Sequence, residues 1–595
     1  MTQKENNYIN KNFYRASAED FSNIPGCPIA YWASENLRKS FKKSARLDEL
    51  SPVKVGLQTG SNEQFVREWF EISVTKASLY LNEDGKHDFG KKWFPYNKGG
   101  EYRKWYGNNE NVVNWKSDGN EIRNFSDKNG KLRSRPQNIE WYFRESITWS
   151  FVSSSYFGVR FSDTKSVFDV AGSSAFPEGK DKYFLTGLLC SKLAHVFMST
   201  MNPTMNFQVG NVAAIPVLID KIREINDENV EKLIEAHKHD WNSYETSWDF
   251  ICSPLIQKQL RLTLKDIYSK IRTNQLKTTL EMQHLEENNN RLFIEAYGMQ
   301  DELTPEVPIS EITLTCNPHY RYGGKATDEE REQRLQSDTI SELISYIIGC
   351  MMGRYSIDRK GLVYAQSGNE GFKALVEEGT YFSFPADNDG ILPLTSEPWF
   401  EDDIATRIED FVCRVWNAEH LEENLQFIAD SLCLAVIQPI KRGDETSRET
   451  IRRYLSTQFF KDHLKTYKKR PIYWLFSSGK ERAFECLVYL HRYNETTLPR
   501  MRTEYVTPLL GQMDNRIDHL RLQQNEAETA EAKRIGKKID SLTKQLTELR
   551  AFDDQLKHYA DMKIQLDLDD GVKVNYGKFG TLLAEVKAVT GDKAE

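Results

Sequence analysis

The chain has 595 residues, enough for roughly three or four domains, and a net charge of -8. Its eight cysteines are scattered without a Cys-x-x-Cys pair, so the sequence predicts neither a disulfide framework nor a metal site. The N-terminus has no apolar signal core, and the apolar run at residues 343–353 is too short and too polar for a membrane span. We therefore predict a protein of the reducing cytoplasm without membrane association.

The first folded part is predicted over residues 46–217, after an N-terminal segment (residues 1–45). Residues 36–50 have the pattern of a basic amphipathic helix, and the glycine-punctuated stretch GLQTGSNEQF (residues 56–65) opens the folded part. Residues 145–162 alternate as a β-hairpin does, and residues 182–201 carry apolar side chains at helical spacing. His195 lies beside that apolar face and is predicted to be a packed surface histidine. These patterns indicate a mixed α/β (α+β) fold.

The rest of the chain is predicted to be mainly helical. Residues 218–300 form a helical spacer with two apolar stripes, one of which starts at Ile219 and the other at Leu260. Residues 301–440 form a mixed α/β central region, and residues 441–595 a helical C-terminal domain. Heptad spacing predicts an antiparallel coiled-coil-like hairpin over residues 511–565, with apolar positions at Ile535, Ile539, Leu542, Leu546, Leu549 and Leu556.

Local charge points to a possible class of partner more clearly than net charge does. Between Lys86 and Arg160 there are 14 Lys and Arg against 8 Asp and Glu, a basic region inside an acidic chain. Within it, KKWFPYNKGGEYRKWYGN (residues 91–108) combines cations for phosphates with aromatic rings for stacking or packing. This local composition fits both a DNA-facing surface and an ordinary solvated basic face, and it does not decide between these two interpretations.

The stretch ITLTCNPHYRYGG (residues 312–324) resembles a strand that ends in the Asn-Pro-Pro-Tyr of adenine methyltransferases. In those enzymes the Asn holds the exocyclic amine and the Tyr stacks on the flipped base. Here His319 replaces the second proline, and no glycine-rich cofactor turn with a following acid precedes Asn317. We therefore predict a structural turn after a strand, and no catalytic residue in this chain.

Longer motifs, in order, resemble the C-terminal half of the PglX family, the adenine-specific DNA methyltransferases of BREX phage-defence systems. The resemblance covers nearly the whole chain. It rests on IPGCPIAYWASENL, KVGLQTGSNEQFVREWFE, KKWFPYNKGGEYRKWYGN, MNPTMNFQVGNVAAIPV, LISYIIGCMMGRYSID, RPIYWLFSSGKERAFECLVYLHRY and DLDDGVKVNYGKFG. Full-length family members carry an N-terminal methyltransferase domain, with the cofactor loop and Asn-Pro-Pro-Tyr, that this chain lacks.

The resemblance implies a DNA target-recognition domain at residues 46–217 that directs S-adenosylmethionine-dependent N6-adenine methylation of a short asymmetric site. It implies that this chain binds no cofactor, does not methylate alone, and works with a methyltransferase domain or chain. Its implied partners are double-stranded DNA, other BREX proteins and, as antagonists, phage DNA mimics. The residues predicted to contact DNA phosphates are Lys91, Lys92, Lys98, Arg103, Lys104, Arg133 and Arg135. Those predicted to contact the groove or bases are Tyr96, Asn97, Asn206 and Gln208.

A second hypothesis stays open beside the first. The heptad-spaced tail and the acidic net charge also fit an assembly module that docks other BREX proteins and has little DNA affinity of its own. The aromatic side chains of the basic region, Trp93, Trp105 and Tyr106, are predicted to be core residues under either hypothesis.

Overall fold

The structure is a computed structural model that describes residues 17–153, 156–179, 181–218, 227–257, 262–440 and 445–591. It divides into two compact units. Unit 1 comprises residues 1–67, 77–241 and 274–324, and unit 2 comprises residues 68–76, 242–273 and 325–595. Each unit is therefore assembled from segments that are distant in sequence. The division into five consecutive segments stays a prediction.

Unit 1 contains most of the β-structure. Its strands are β1 Ala45–Arg46, β2 Val53–Lys54, β3 Val66–Glu68, β4 Trp93–Asn97, β5 Asn111–Asn114, β6 Ser146–Trp149, β7 Val159–Ser162, β8 Val167–Phe168, β9 Ser174–Ala175 and β10 Pro216–Val217. They form two four-stranded sheets, in the orders β2-β9-β6-β7 and β3-β5-β4-β8, and a β1-β10 pair. β6 and β7 pair antiparallel, so the predicted hairpin is confirmed, although Ser154 and Ser155 lie outside the described residues.

Most helices of unit 1 are short, and the two longest lie within residues 227–296. The helices are α1 Ala18–Ser22, α2 Glu35–Lys43, α3 Leu47–Leu50, α4 Asn62–Phe65, α5 Lys116–Arg123, α6 Asp181–Cys190, α7 Lys192–Met201, α8 Val209–Ala213, α9 Asp227–Trp241, α10 Leu264–Ala296 and α11 Pro318–Tyr322. The first ten residues of α10 belong to unit 2 and the rest to unit 1. Residues 219–226 and 258–261, which include Ile219 and Leu260 of the predicted stripes, lie outside the described residues.

Two helix predictions in unit 1 change in detail. Residues 36–50 do not form one helix, because Ser44 is extended and Ala45 pairs with Val217 across the β1-β10 ladder. Residues 182–201 form two helices bent by 67°, since Ser191 starts a new helix by accepting a hydrogen bond from the Ala194 N–H. Side-chain capping of this kind satisfies N–H groups that a helix start leaves without partners.

The main core of unit 1 packs the β6-β7 hairpin against helices α6, α7 and α10. Trp149, Leu188, Phe197 and Phe293 are buried in it. Trp93, Trp105 and Tyr106 are buried as well, so they are packing residues as predicted. His195 is half-buried beside Tyr156, and burial lowers the pKa of its imidazole.

Unit 2 is mainly helical around one small sheet. The antiparallel sheet has the order β11-β13-β12, with β11 Ile391–Pro393, β12 Tyr473–Ser477 and β13 Glu485–Tyr489. Its helices are α12 Asp328–Met351, α13 Phe372–Glu377, α14 Ile404–Trp416, α15 Leu421–Ala435, α16 Ser447–Tyr454, α17 Phe460–Thr466, α18 Thr497–Arg500, α19 Thr507–Glu526, α20 Thr529–Asp561, α21 Val572–Gly577 and α22 Val586–Thr590. Helix α12 begins at a capping box of Thr327 and Glu330.

Helices α19 and α20 pack against one another after a two-residue break. Gln524 donates to the Ala532 carbonyl near that break, and Arg550 pairs with Asp514 at 3.1 Å farther from it. Leu546, Leu549 and Leu556 of the heptad set are buried, whereas Ile535, Ile539 and Leu542 are half-buried. The helical C-terminal region is thus confirmed, and coiled-coil geometry within it stays a prediction.

No single helix among the described residues has both the length and the apolar composition needed to cross a membrane. The consecutive helices α6 and α7 reach that composition only when taken together across their bend, and their leucines lie in the core of unit 1.

Candidate nucleic-acid interface

The Asn-Pro-His-Tyr motif is a helix start in unit 1. Asn317 is 1% exposed and caps α11, where its side-chain oxygen accepts from the His319 N–H at 3.1 Å. Its amide nitrogen donates to the carbonyls of Ile309 and Ile312 at 2.7 and 2.8 Å. The strand predicted before it is absent from the described residues 312–316, which follow a 3₁₀ turn. Both amide hydrogens and one of the two lone pairs of the oxygen are used inside the fold, and burial keeps the side chain away from a substrate amine.

Two of the predicted DNA contacts are buried on strand β4. Tyr96 is 2% exposed and its hydroxyl donates to Asp169, and burial raises the pKa of that phenol well above its usual value. Asn97 is 6% exposed and donates to the Ser162 hydroxyl at 2.9 Å. The prediction of base contact is corrected for these two residues, because neither presents a polar group to the surface.

Two predicted phosphate contacts are also inside unit 1. Lys104 pairs with Glu286, which also accepts from the Trp105 indole at 2.8 Å. Arg103 donates to the Thr315 hydroxyl at 2.7 Å and lies 3.6 Å from Asp240. These two cations are less than a tenth exposed, so the prediction that they contact phosphates is corrected.

The exposed basic side chains gather on a loop that the sequence analysis did not single out as an element. This basic loop (residues 126–135) folds back on itself through the Ser126–Leu132 bridge, and the Asp127 carboxylate caps its turn by accepting from the N–H groups of Asn129 and Lys131. Its four cations have exposed side chains and form no ion pair within the described part of the chain: Lys128, Lys131, Arg133 and Arg135.

The backbone of GLQTGSNEQF pairs with the end of this loop, and two glycines of that stretch lie close to neighbouring backbone. Gln58 and Arg135 exchange backbone hydrogen bonds at 3.1 and 2.7 Å. Gly60 has a φ of +79°, and a Cβ there would lie 2.8 Å from the Arg133 carbonyl carbon. At Gly56 a Cβ would lie 2.0 Å from the Phe168 carbonyl oxygen. Glycine is therefore required where this turn passes close to neighbouring backbone.

The remaining predicted residues lie in two other parts of unit 1. Lys91 and Lys92 are half-buried before β4, where Lys91 lies 3.8 Å from Asp88 and the Lys92 ammonium 5.3 Å from the Trp93 ring centroid. Lys98, half-buried, begins a turn against the end of β6, since a Cβ on Gly99 would lie 3.5 Å from the Ser150 Cα.

Asn206 and Gln208 lie near that same end of β6. Asn206 pairs with Val152 as an isolated bridge, and the indole of Trp149 donates to the Phe207 carbonyl at 2.9 Å. Asn206 is half-buried and Gln208 is exposed. The turn that begins at Lys98 and the segment of Asn206 and Gln208 thus both lie next to the end of β6. The basic loop and the Lys91–Lys92 pair are separate elements.

The basic loop could have been found from sequence by its turn. DKNG (residues 127–130) is a strong turn signal, and the cations at 131, 133 and 135 alternate, which places them on one face of an extended segment. Among the described residues no group of three or more His, Cys, Asp or Glu side chains is arranged to hold a metal ion.

The chain is similar in sequence to known adenine-specific methyltransferases. No protein-family model matches the chain. It is 49% identical over 598 aligned residues to the adenine-specific methyltransferase BrxX of Escherichia coli O9:H4 (strain HS), with 100% of this chain and 48% of the relative covered. It is 38% identical over 589 residues to the adenine-specific methyltransferase PglX of Lacticaseibacillus casei (strain Zhang), with 96% and 45% covered.

The chain therefore spans about half the length of the curated relatives it matches. The resemblance to PglX inferred from the motifs is confirmed, and which half is matched stays a prediction. Over essentially its whole length, this chain is homologous to a part of the adenine-specific methyltransferases BrxX and PglX that makes up about half the length of each.

Proposed function

We propose that this chain is the C-terminal, DNA-reading portion of a BREX adenine-N6 methyltransferase. In this proposal unit 1 holds double-stranded DNA and a separate methyltransferase domain or chain binds S-adenosylmethionine and transfers the methyl group. The chain itself holds the target site in register, because a methyltransferase must place one adenine of a short sequence in its pocket. Other BREX proteins, and phage proteins that mimic DNA, are the further partners proposed.

The basic loop is the observation that carries this proposal. Four exposed cations lie within eight residues, and the single acid among them, Asp127, is occupied in the turn. Such a cluster attracts phosphates even on an acidic protein, since screening confines charge effects to about 10 Å at moderate salt. The proposed DNA-facing set leaves out the four buried residues of the predicted set and adds Lys128 and Lys131 of the basic loop. It comprises Lys91, Lys92, Lys98, Lys128, Lys131, Arg133, Arg135, Asn206 and Gln208.

Charge reversal on the basic loop tests the proposal. We expect Arg133→Glu with Arg135→Glu to weaken binding of random-sequence duplex DNA by on the order of tenfold to a hundredfold at low salt. The slope of log affinity against log salt should fall by about 2, because each lost phosphate contact releases about one fewer counterion. Fluorescence anisotropy titrations at several salt concentrations measure both quantities.

A matched control separates loop contacts from net charge. Lys538→Glu with Lys557→Glu makes the same charge change on two exposed residues of helix α20. We expect this variant to bind DNA as the original chain does. Equal losses in the two variants would show a non-specific charge effect. If the unaltered chain does not bind DNA at low salt, the assembly-module hypothesis takes precedence.

A further inference from the structure

Unit 1 buries three cations close together in space, since Trp105 and Arg160 form an isolated β-bridge, and among the described residues only two of the three have an acidic partner. Lys104 pairs with Glu286, and Arg103 lies 3.6 Å from Asp240. Arg160, on strand β7, is 2% exposed and forms no ion pair within the described part of the chain. A buried charge is costly unless an opposite charge and hydrogen bonds compensate for it.

The hydrogen bonds of Arg160 do not compensate for its burial. One terminal nitrogen lies 3.4 Å from the Ser150 hydroxyl and 3.5 Å from the Gly158 carbonyl, which are long distances for such bonds. The Nε atom has no hydrogen-bond partner in the part of the chain that the structure describes. Burial, followed by the neighbouring Arg103, lowers the pKa of Arg160 to about 10, so the guanidinium still carries its charge at neutral pH.

Unpartnered donors lie around Arg103, the cation whose charge acts on Arg160. Among the described residues, one Arg103 nitrogen makes no hydrogen bond, although it lies 3.6 Å from the Asp240 carboxylate. The Arg103 guanidinium lies 4.9 Å from the ring centroid of Trp241, whose indole N–H also has no partner among them. A neighbourhood that offers donors and positive charge is complementary to an oxyanion, which offers acceptors and negative charge. Water would satisfy the hydrogen bonds and leave the charge uncompensated.

A short path leads from Arg160 to the surface. Ser150, which contacts Arg160, donates to the Gly100 carbonyl at 3.0 Å, and Gly100 is exposed. Gly99 and Gly100 have φ angles of +85° and +139°, a backbone course that residues with side chains rarely adopt. Lys98, at the start of this turn, adds a further positive charge.

We propose that unit 1 binds a phosphate-like oxyanion beside Arg160, beneath the turn of residues 98–100. The oxyanion reaches the guanidinium when the Ser150–Gly100 hydrogen bond opens. Two sources share this chemistry, a DNA backbone phosphate and free inorganic phosphate. The first source rests on the DNA-reading function proposed above, whereas the site itself does not depend on it.

Thermal unfolding of the full chain in inorganic phosphate tests the site, with sodium chloride at equal ionic strength as the reference. A ligand that binds only the folded state raises the midpoint of unfolding. We expect phosphate to raise the midpoint of the unaltered chain by several degrees relative to chloride, and Arg160→Met to abolish this difference. If Arg160→Met does not fold, Lys98→Gln at the half-buried surface position should reduce the difference instead. No phosphate effect on the unaltered chain overturns the site.

DNA titrations identify the source of the anion. Weaker DNA binding by Arg160→Met, together with competition by phosphate at constant ionic strength, assigns the site to a DNA phosphate. Unchanged DNA binding by Arg160→Met assigns it to free phosphate, provided that phosphate stabilises the unaltered chain and not this variant. A phosphate effect without any DNA binding by the unaltered chain would overturn the DNA-reading function and leave the site standing. Higher stability of Arg160→Met with no phosphate effect in either protein would show an unliganded buried charge and overturn the proposal.

Discussion

Glu286→Ala is expected to destabilise unit 1 by about 3–5 kcal/mol, the usual cost of removing one partner of a buried ion pair. The carboxylate of Glu286 is 2% exposed and accepts from both Lys104 and the Trp105 indole. Its loss leaves an ammonium and an indole N–H buried without their partner. Urea denaturation followed by tryptophan fluorescence gives the change in the free energy of unfolding.

Two further variants show whether the charge or the cavity causes the loss. Lys104→Met with Glu286→Gln removes both charges and keeps an acceptor for Trp105, so much of the stability should return. Glu228→Ala breaks the exposed Glu228–Lys232 pair and should leave the unfolding midpoint unchanged. A Glu286→Ala midpoint equal to that of Glu228→Ala would contradict the expected role of the buried pair.

This pair also shows why the sequence analysis placed Arg103 and Lys104 on the surface. Their acidic partners, Asp240 and Glu286, lie more than 130 residues farther along the chain, so local charge counting does not register the neutralisation. Periodicity did predict the segments whose own pattern decides their structure, namely the β6-β7 hairpin and the helices within residues 182–201. It missed the break at Ser191, which depends on a single capping hydrogen bond.

The structure around Asn317 also depends on contacts that the local sequence pattern does not show. A β-branched run before Asn-Pro predicted a strand, whereas the structure has a 3₁₀ turn and a capped helix. The run is buried because Ile312, Leu314 and Cys316 pack in the core of unit 1, not because it pairs in a sheet. The hydroxyls of Thr313 and Thr315 accept from the Lys104 N–H and the Arg103 guanidinium. The turn interpretation of the motif could be reached from the sequence, since no cofactor turn precedes it. The contacts of Thr313 and Thr315 could not be predicted, because they join segments about 210 residues apart.

The pH dependence of unit 2 should include a contribution from the buried carboxyl group of Glu485, which a substitution at this residue isolates from those of Glu245 and Asp389. Glu485 lies on β13, 5% exposed, and accepts from the Ser477 hydroxyl at 2.9 Å. Burial raises the pKa of Glu485 from its ordinary 4.5 to about 7, while Ser477 and Arg482 oppose the shift. Folding therefore favours the protonated form. The resulting stability is fully present below pH 4.5 and is lost as the pH rises through about 7.

The free energy of unfolding should thus fall by on the order of 3 kcal/mol through Glu485 as the pH rises from about 5 to about 8. Glu485→Gln keeps a neutral side chain of the same size, so its stability should exceed that of the unaltered chain above pH 7 and change less with pH. Glu419→Gln, at an exposed position, should follow the unaltered chain. Urea denaturation across this pH range measures the difference. Parallel curves for Glu485→Gln and the unaltered chain would show that Glu485 is already ionised when folded, and that water or a cation compensates for its burial.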